Sequence, residues 1–292
     1  MEQDTNNLQI ISTRITSPLR YPGGKSRAIK KIIPLIPEFK EYREPLVGGG
    51  SVFVALKQLH PNKKFWINDI NSDLYFFYKY FQESPQKFVE EIKKIKKERT
   101  EGTILYKKLT RKEYQFTEFQ RAVRFFILNR ITFSGLIDAG GYSEEAFKTR
   151  FTDSSIERLK KIRGVLGQVK ITNKDYEGVV NKDGKEVFIF LDPPYLSKSK
   201  SKLYGSRGCF HENFDHQKFA EVMRRCKHKW LITYDDSKQI IQLFSFAYIY
   251  RWKLQYCMNN VSGNGCSEGE ELFITNYKIP SLEPFRIRQK AL

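Results

Sequence analysis

Glu186-Val187-Phe188-Ile189-Phe190-Leu191-Asp192-Pro193-Pro194-Tyr195 decides the reading of this chain. Residues 187–191 are wholly apolar, the pattern of a strand buried on both faces and therefore central in a parallel sheet. The run ends abruptly at a polar tetrapeptide, and open α/β sheets bind ligands at the carboxyl ends of their strands. Two successive prolines fix the backbone and contribute no N–H, so the carbonyls of Asp192 and Pro193 can point outward, while Tyr195 adds a flat aromatic face. That set suits a planar amine. Its lone pair is delocalised into a ring, and two acceptors on its hydrogens localise that pair toward an electrophile. A capped strand-ending turn would account for Asp-Pro alone, but not for the whole tetrapeptide after such a strand.

Working outward, 44–47 reads as a short buried strand, Gly48-Gly49-Gly50-Ser51 as a turn, and 52–59 as a helix. A compact strand over 64–70 carries Asp69 about twenty residues beyond the glycines, as in a nucleotide-binding crossover unit. Upstream, Leu19-Arg20-Tyr21-Pro22-Gly23-Gly24-Lys25 opens into a helical segment over 26–33. Downstream, strands are predicted at 168–172, 186–191, 229–234, 247–258 and 271–277, with helices at 217–226 and 236–244. From 73 to 166 the character changes to long charged helices, such as 85–99 and 116–130, followed by a glycine-rich tip at 135–143. The expected fold is α/β, a Rossmann-like sheet with helices on both faces and an inserted, mainly helical unit. Residues 1–72 and 167–292 would form one domain and 73–166 the insert.

Lys and Arg number 51 against 33 Asp and Glu, a formal charge of +18, which draws the chain toward polyanions, nucleic acid first. No apolar run approaches the length of a membrane span, and residues 1–20 carry no targeting pattern, so a cytoplasmic protein is expected. Cys209, Cys226, Cys257 and Cys266 include no Cys-x-x-Cys pair and accompany only four histidines, which predicts neither a metal site nor a disulfide framework.

Asp192-Pro193-Pro194-Tyr195 resembles the catalytic motif of amino-group DNA methyltransferases, and the chain as a whole resembles their Dam-like, adenine-specific class. Tyr21-Pro22-Gly23-Gly24-Lys25 is similar to the family's N-terminal motif, and Glu44-Pro45-Leu46-Val47-Gly48-Gly49-Gly50-Ser51 to its cofactor loop. Asn68-Asp69-Ile70-Asn71 is similar to its ribose-binding segment, and Asp175-Tyr176 to the pair that holds the cofactor's adenine. The resemblance implies S-adenosylmethionine as donor, no metal, and double-stranded DNA as substrate, its adenine amine methylated after base flipping. By the same token Tyr21, Lys25, Pro45, Gly48, Gly50, Ser51, Asp69, Asp175, Tyr176 and Asp192 would bind the cofactor. Asp192, Pro193, Pro194 and Tyr195 would be catalytic, and the insert would be the target recognition domain.

Arg130, at the end of a helix similar to the one leading into the family's DNA-reading hairpin, is a candidate DNA contact. Lys198, Lys200 and Lys202, in the basic loop after the tetrapeptide, are others. The chain departs from the family at Ser134, where Asn is usual, at Ile137-Asp138, where a basic residue is usual, and at Leu46, where Phe is usual. A monomer is expected, with a cognate restriction enzyme as a further partner. Two alternatives stay open: methylation of the cytosine amine or of RNA, and a non-catalytic DNA-binding protein that keeps a methyltransferase shape.

Overall fold

The computed structural model describes residues 15–21, 23–98, 101–111, 113–137, 140–196, 214–256 and 267–285. Its sheet runs β1 (Glu41–Glu44), β2 (Lys64–Asn68), β3 (Lys170–Thr172), β4 (Val187–Leu191), β5 (Lys229–Asp235), β6 (Tyr248–Tyr256) and β7 (Ser267–Thr275). The spatial order is β3-β2-β1-β4-β5-β7-β6. β1 to β5 are mutually parallel, and β7 lies antiparallel between β5 and β6. From β1 the chain winds outward through β2 to β3, then returns to lay β4 on the other side of β1. The carboxyl ends of β1 and β4 thus flank the point where the strand order reverses, the crevice in which open α/β sheets bind ligands.

All five residues of β4 are buried, as its apolar run requires. The strand expected at 44–47 instead occupies Glu41–Glu44. Pro45 cannot donate to a ladder, and Val47 N already bonds Asn68 O, so 45–50 forms the loop. The charges in this strand are answered inside the fold. Arg43, 1% exposed, bonds Glu41 Oε1 at 2.6 Å and the carbonyls of Val179 and Asp183 at 3.0 Å each, as well as that of Lys182.

Helix α1 (Ser51–Leu59) connects β1 to β2, after short helical turns over 25–35. Between β2 and β3 lie α2 (Ser72–Glu83), α3 (Pro85–Glu98), α4 (Gly102–Leu109), α5 (Glu118–Ile131), α6 (Glu144–Arg150) and α7 (Asp153–Leu166). Asn71 caps α2 by accepting from Asp73 N and Leu74 N, and Thr117 with Gln120 forms a capping box on α5. The apolar faces of these helices join the sheet in one core cluster, in which Phe77, Phe81, Phe88 and Phe126 belong with Phe65 and Phe188. A second cluster lies on the other side of β4 and β5, under α9 (His216–Arg225) and α10 (Lys238–Leu243), with the one-turn α8 (Glu177–Val180) beside it. Helices therefore cover both faces of the sheet.

No helix among the described residues is long and apolar enough to cross a membrane. None of their His, Cys, Asp and Glu side chains form a group of three or more that could hold a metal ion. Cys226 is a free thiol, and Cys209, Cys257 and Cys266 lie outside the described residues.

Candidate active site

A cavity of about 460 Å³ opens at the carboxyl ends of β1, β2 and β4. Its floor is the 45–50 loop. Gly48 and Gly50 have φ of 47° and 64°, a region that side chains disfavour. A Cβ on Gly48 would lie 2.8 Å from the ring of Tyr21, and one on Gly50 would lie 2.7 Å from the Tyr78 hydroxyl. That hydroxyl donates to Gly48 O at 3.0 Å, so the loop is held between Tyr78 and Tyr21 while 46–50 line the cavity. Ser51 begins α1 and lines the cavity, whereas Pro45 lies behind the loop, its carbonyl accepting from Asn68 Nδ2 at 2.9 Å.

Asp69 closes one wall just beyond β2. Its two oxygens accept from Gly48 N at 3.0 Å and Asn71 N at 2.9 Å. It opens onto the cavity but sits below the molecular surface. Burial lifts its carboxyl to about 6, against the pull of the Asn71, Gly48 and Ile70 N–H groups. Glu44, at the end of β1, is 3% exposed and also lines the cavity. Burial raises its carboxyl to about 8, although the Tyr42 hydroxyl donates to it at 2.5 Å.

The tetrapeptide forms the opposite wall. Asp192 is held from two sides, by Lys25 Nζ at 2.7 and 2.8 Å from its two oxygens and by Thr233 Oγ1 at 2.7 Å. Lys25, 5% exposed, also donates to Gly23 O at 2.9 Å and lies 4.8 Å from the centre of the Tyr195 ring. Tyr195 is buried, and its hydroxyl donates to Glu271 Oε2 at 3.0 Å. At the far end, Asp175 Oδ1 accepts from Glu177 N, and the Tyr176 ring packs 5.9 Å from Phe214 and 5.4 Å from Phe219.

The structure thus gathers Tyr21, Lys25, Gly48, Gly50, Ser51, Asp69, Asp175, Tyr176, Asp192, Pro193, Pro194 and Tyr195 around one cavity. Sequence reasoning did not single out Glu44, Phe214, Asp215 or Lys218, which also line it. Asp215 carries a readable signal, since it caps α9 through Lys218 N, but an isolated Phe214 carries none.

Arg130 lies elsewhere, 5% exposed on α5. Its Nε and the Nη1 of Arg20 are buried without a hydrogen-bond partner among the described residues. Burial, then the charges of Arg158, Arg20 and Arg150, depress the Arg130 guanidinium to about 9. Burial and Arg150 likewise lower that of Arg20, with Glu145 offsetting part of the effect. Asn129 ties this group to the glycine-rich tip: its side chain bonds Arg20 N at 2.9 Å, Arg20 O at 2.7 Å and Gly135 O at 3.2 Å. There Phe133 stands 63% exposed, in a loop closed by the Thr132–Tyr142 bridge. Lys198, Lys200, Lys202 and Asp138 fall outside the described residues.

Residues 21–258, which span every cavity-lining group, match the model of the D12 class N6 adenine-specific DNA methyltransferases. The chain belongs to this family. It is therefore an enzyme that methylates adenine in DNA. It is similar to the Type II methyltransferase M.MjaIII of Methanocaldococcus jannaschii, with 28% identity over 71% of this chain and 78% of that one. The Type II methyltransferase M1.LlaDCHI of Lactococcus lactis subsp. cremoris is 27% identical over 68% and 71% of the two chains. The DNA adenine methylase of Vibrio cholerae is 24% identical over 64% of this chain and 68% of that one. In this methyltransferase Asp192-Pro193-Pro194-Tyr195 follows the central strand directly and forms a wall of the cavity.

Proposed function

We propose that the cavity binds S-adenosylmethionine and presents its methyl group to an adenine swung out of duplex DNA onto Tyr195. The observation that carries this reading is the acidity of the cavity. In a chain of net charge +18 it is lined by Asp69, Asp175, Asp192 and Asp215, and by Glu44, which burial keeps protonated until a cation meets it, against Lys25 and Lys218. Both lysines are already paired, with Asp192 and Glu177. A ligand bearing a sulfonium and an ammonium fits such a lining, and the 48–50 loop brings no side chain of its own into the cavity.

S-adenosylmethionine supplies an activated methyl group with a thioether as leaving group. Asp69 keeps a lone pair on each oxygen for the two ribose hydroxyls. Glu44 answers the ammonium, while Tyr176 and Phe214 cover the adenine near Asp175. Asp192 and the Pro193 carbonyl accept from the target amine, directing its lone pair toward the methyl carbon. Lys25 and Thr233 fix the Asp192 carboxylate. The new N–C bond forms as the S–C bond breaks, and the amine loses its surplus proton afterward, so no strong base is required. Orientation and electrostatics supply the catalysis.

The insert at 73–166 carries target recognition in this reading. Arg20, Arg130, Arg150 and Arg158 concentrate positive charge in one region, which Asn129 ties to the turn of the exposed Phe133, and a DNA phosphate would answer that charge. The Type II names of two relatives support a pairing with a cognate restriction enzyme in the cytoplasm.

Asp192→Ala tests the core of the proposal. Methyl transfer to DNA should disappear while binding of radiolabelled S-adenosylmethionine and of DNA stays measurable. Near-normal turnover in the variant would overturn the assignment.

A further inference from the structure

The tetrapeptide is held from beneath by a pair of antiparallel strands. β5 and β7 pair so that Thr233 faces Phe273 and Asp235 faces Glu271. From β5, Thr233 Oγ1 donates to Asp192 at 2.7 Å and Asp235 Oδ1 accepts from Leu196 N at 3.1 Å. From β7, Glu271 accepts the Tyr195 hydroxyl at 3.0 Å. Glu271 is 1% exposed, a buried carboxylate on a strand whose neighbours Leu272, Phe273 and Ile274 belong to the core. A buried acid is costly unless its hydrogen bonds are made, and one of these reaches the ring beside Asp192.

We propose that Glu271 is a positioning residue for methyl transfer: it sets the tilt of the Tyr195 ring, and so the height at which the target adenine meets Asp192. This rests on the reading of Tyr195 as the ring on which the base stacks. A tyrosine ring anchored only by its Cβ can still rotate about χ1 and χ2. Glu271 fixes its distal end. Lys25, against both the Tyr195 ring and the Asp192 carboxylate, then inherits a defined geometry, so the two catalytic elements move as one unit. Misplacing a base by a fraction of an ångström lowers turnover more than binding, because alignment is needed chiefly in the transition state.

The test is a double-mutant cycle on tritiated methyl transfer from S-adenosylmethionine to DNA from a methylation-deficient host. Glu271→Leu and Tyr195→Phe should each lower kcat by about tenfold and leave both KM values within about twofold. Glu271→Gln keeps an acceptor oxygen and should stay within about threefold of the parent kcat. The double variant Tyr195→Phe with Glu271→Leu should be no slower than the slower single variant, since both remove one hydrogen bond. Additive losses, or Glu271→Gln as impaired as Glu271→Leu, would overturn the proposal. If Glu271→Leu fails to fold, Tyr195→Phe decides alone, and an unchanged kcat there overturns it. Tyr195→Ala separates the two levels. Full activity in that variant refutes the stacking role itself, whereas lost activity there beside full activity in Tyr195→Phe and Glu271→Leu refutes only the role of Glu271.

Discussion

Glu44→Gln should stabilise the enzyme at alkaline pH and remove the step in cofactor binding near pH 8, leaving the one near pH 6 that belongs to Asp69. Glu44 is 3% exposed, and burial raises its carboxyl from an ordinary 4.5 to about 8, with the Tyr42 hydroxyl and Phe53 N–H offsetting part of the rise and Asp192 and Asp69 adding to it. The folded value lies above the unfolded one, so the folded chain holds a proton that the unfolded chain has released. Stability from this group is therefore full below pH 4.5 and drains until about pH 8, beyond which the deficit is constant. The displacement corresponds to a deficit on the order of 5 kcal/mol as a ceiling. The amide is neutral and still accepts from Tyr42. The gap in Tm between Glu44→Gln and the parent should accordingly widen by about 10 °C, at most, between roughly pH 5 and pH 9. A ligand ammonium needs the ionised form. Parent affinity for S-adenosylmethionine should rise with pH toward 8 and binding should release a proton, measurable by calorimetry in two buffers of different ionisation enthalpy. Glu44→Gln should bind more weakly and, above about pH 7 where Asp69 is already ionised, release none. A Tm gap that stays flat across that range would refute the placement of Glu44, and equal proton release in both proteins would refute its pairing with the ligand.

Gly50→Ala forces a side chain into φ of 64° with its Cβ 2.7 Å from the Tyr78 hydroxyl. It should lose about 1–3 kcal/mol in urea unfolding and weaken cofactor binding by calorimetry, and a variant that does neither would refute the loop as floor of the site. Arg130→Met removes a buried guanidinium whose Nε has no hydrogen-bond partner among the described residues, so Tm should hold or rise while DNA affinity falls. The slope of log affinity against log salt should shrink by about one, and a lowered Tm with an unchanged slope would mark Arg130 as packing instead.

The readable parts of this enzyme are those whose physics is local. An unbroken apolar run, two prolines and a positive-φ glycine each constrain their own neighbourhood, so β4, the tetrapeptide and the glycine loop are visible from the sequence. β1 is hidden because Glu41-Tyr42-Arg43-Glu44 looks solvated. Arg43 is buried only because the carbonyls of Val179, Lys182 and Asp183, more than a hundred residues away, come to meet it. The partners of the tetrapeptide are hidden for the same reason. Thr233 acquires its contact from the parallel register of β4 and β5, and Glu271 from the antiparallel register of β7 on β5, neither of which any periodicity specifies. Arg130 is legible as a basic residue on a helix, but the convergence of Arg20, Arg150 and Arg158 on it is not.

That convergence bears on how the proposed halves of the site work together. The cavity is acidic and the region around Arg130 is basic, so under the proposed reading a cationic donor and a polyanionic substrate are drawn to different regions before any specific contact forms. One short segment spans the two ends. Arg20 stands among the arginines, Tyr21 lies on Gly48 and Gly49, and Lys25 holds Asp192. Asn129 fixes the backbone of Arg20 to the turn that carries Phe133. Residues 20–25 connect the 133–135 turn to the floor of the cavity and to the Asp192 carboxylate. The spacing in Arg20-Tyr21-Pro22-Gly23-Gly24-Lys25 is thus explained by three contacts at once, where a cofactor role alone would account only for the glycines and the ring.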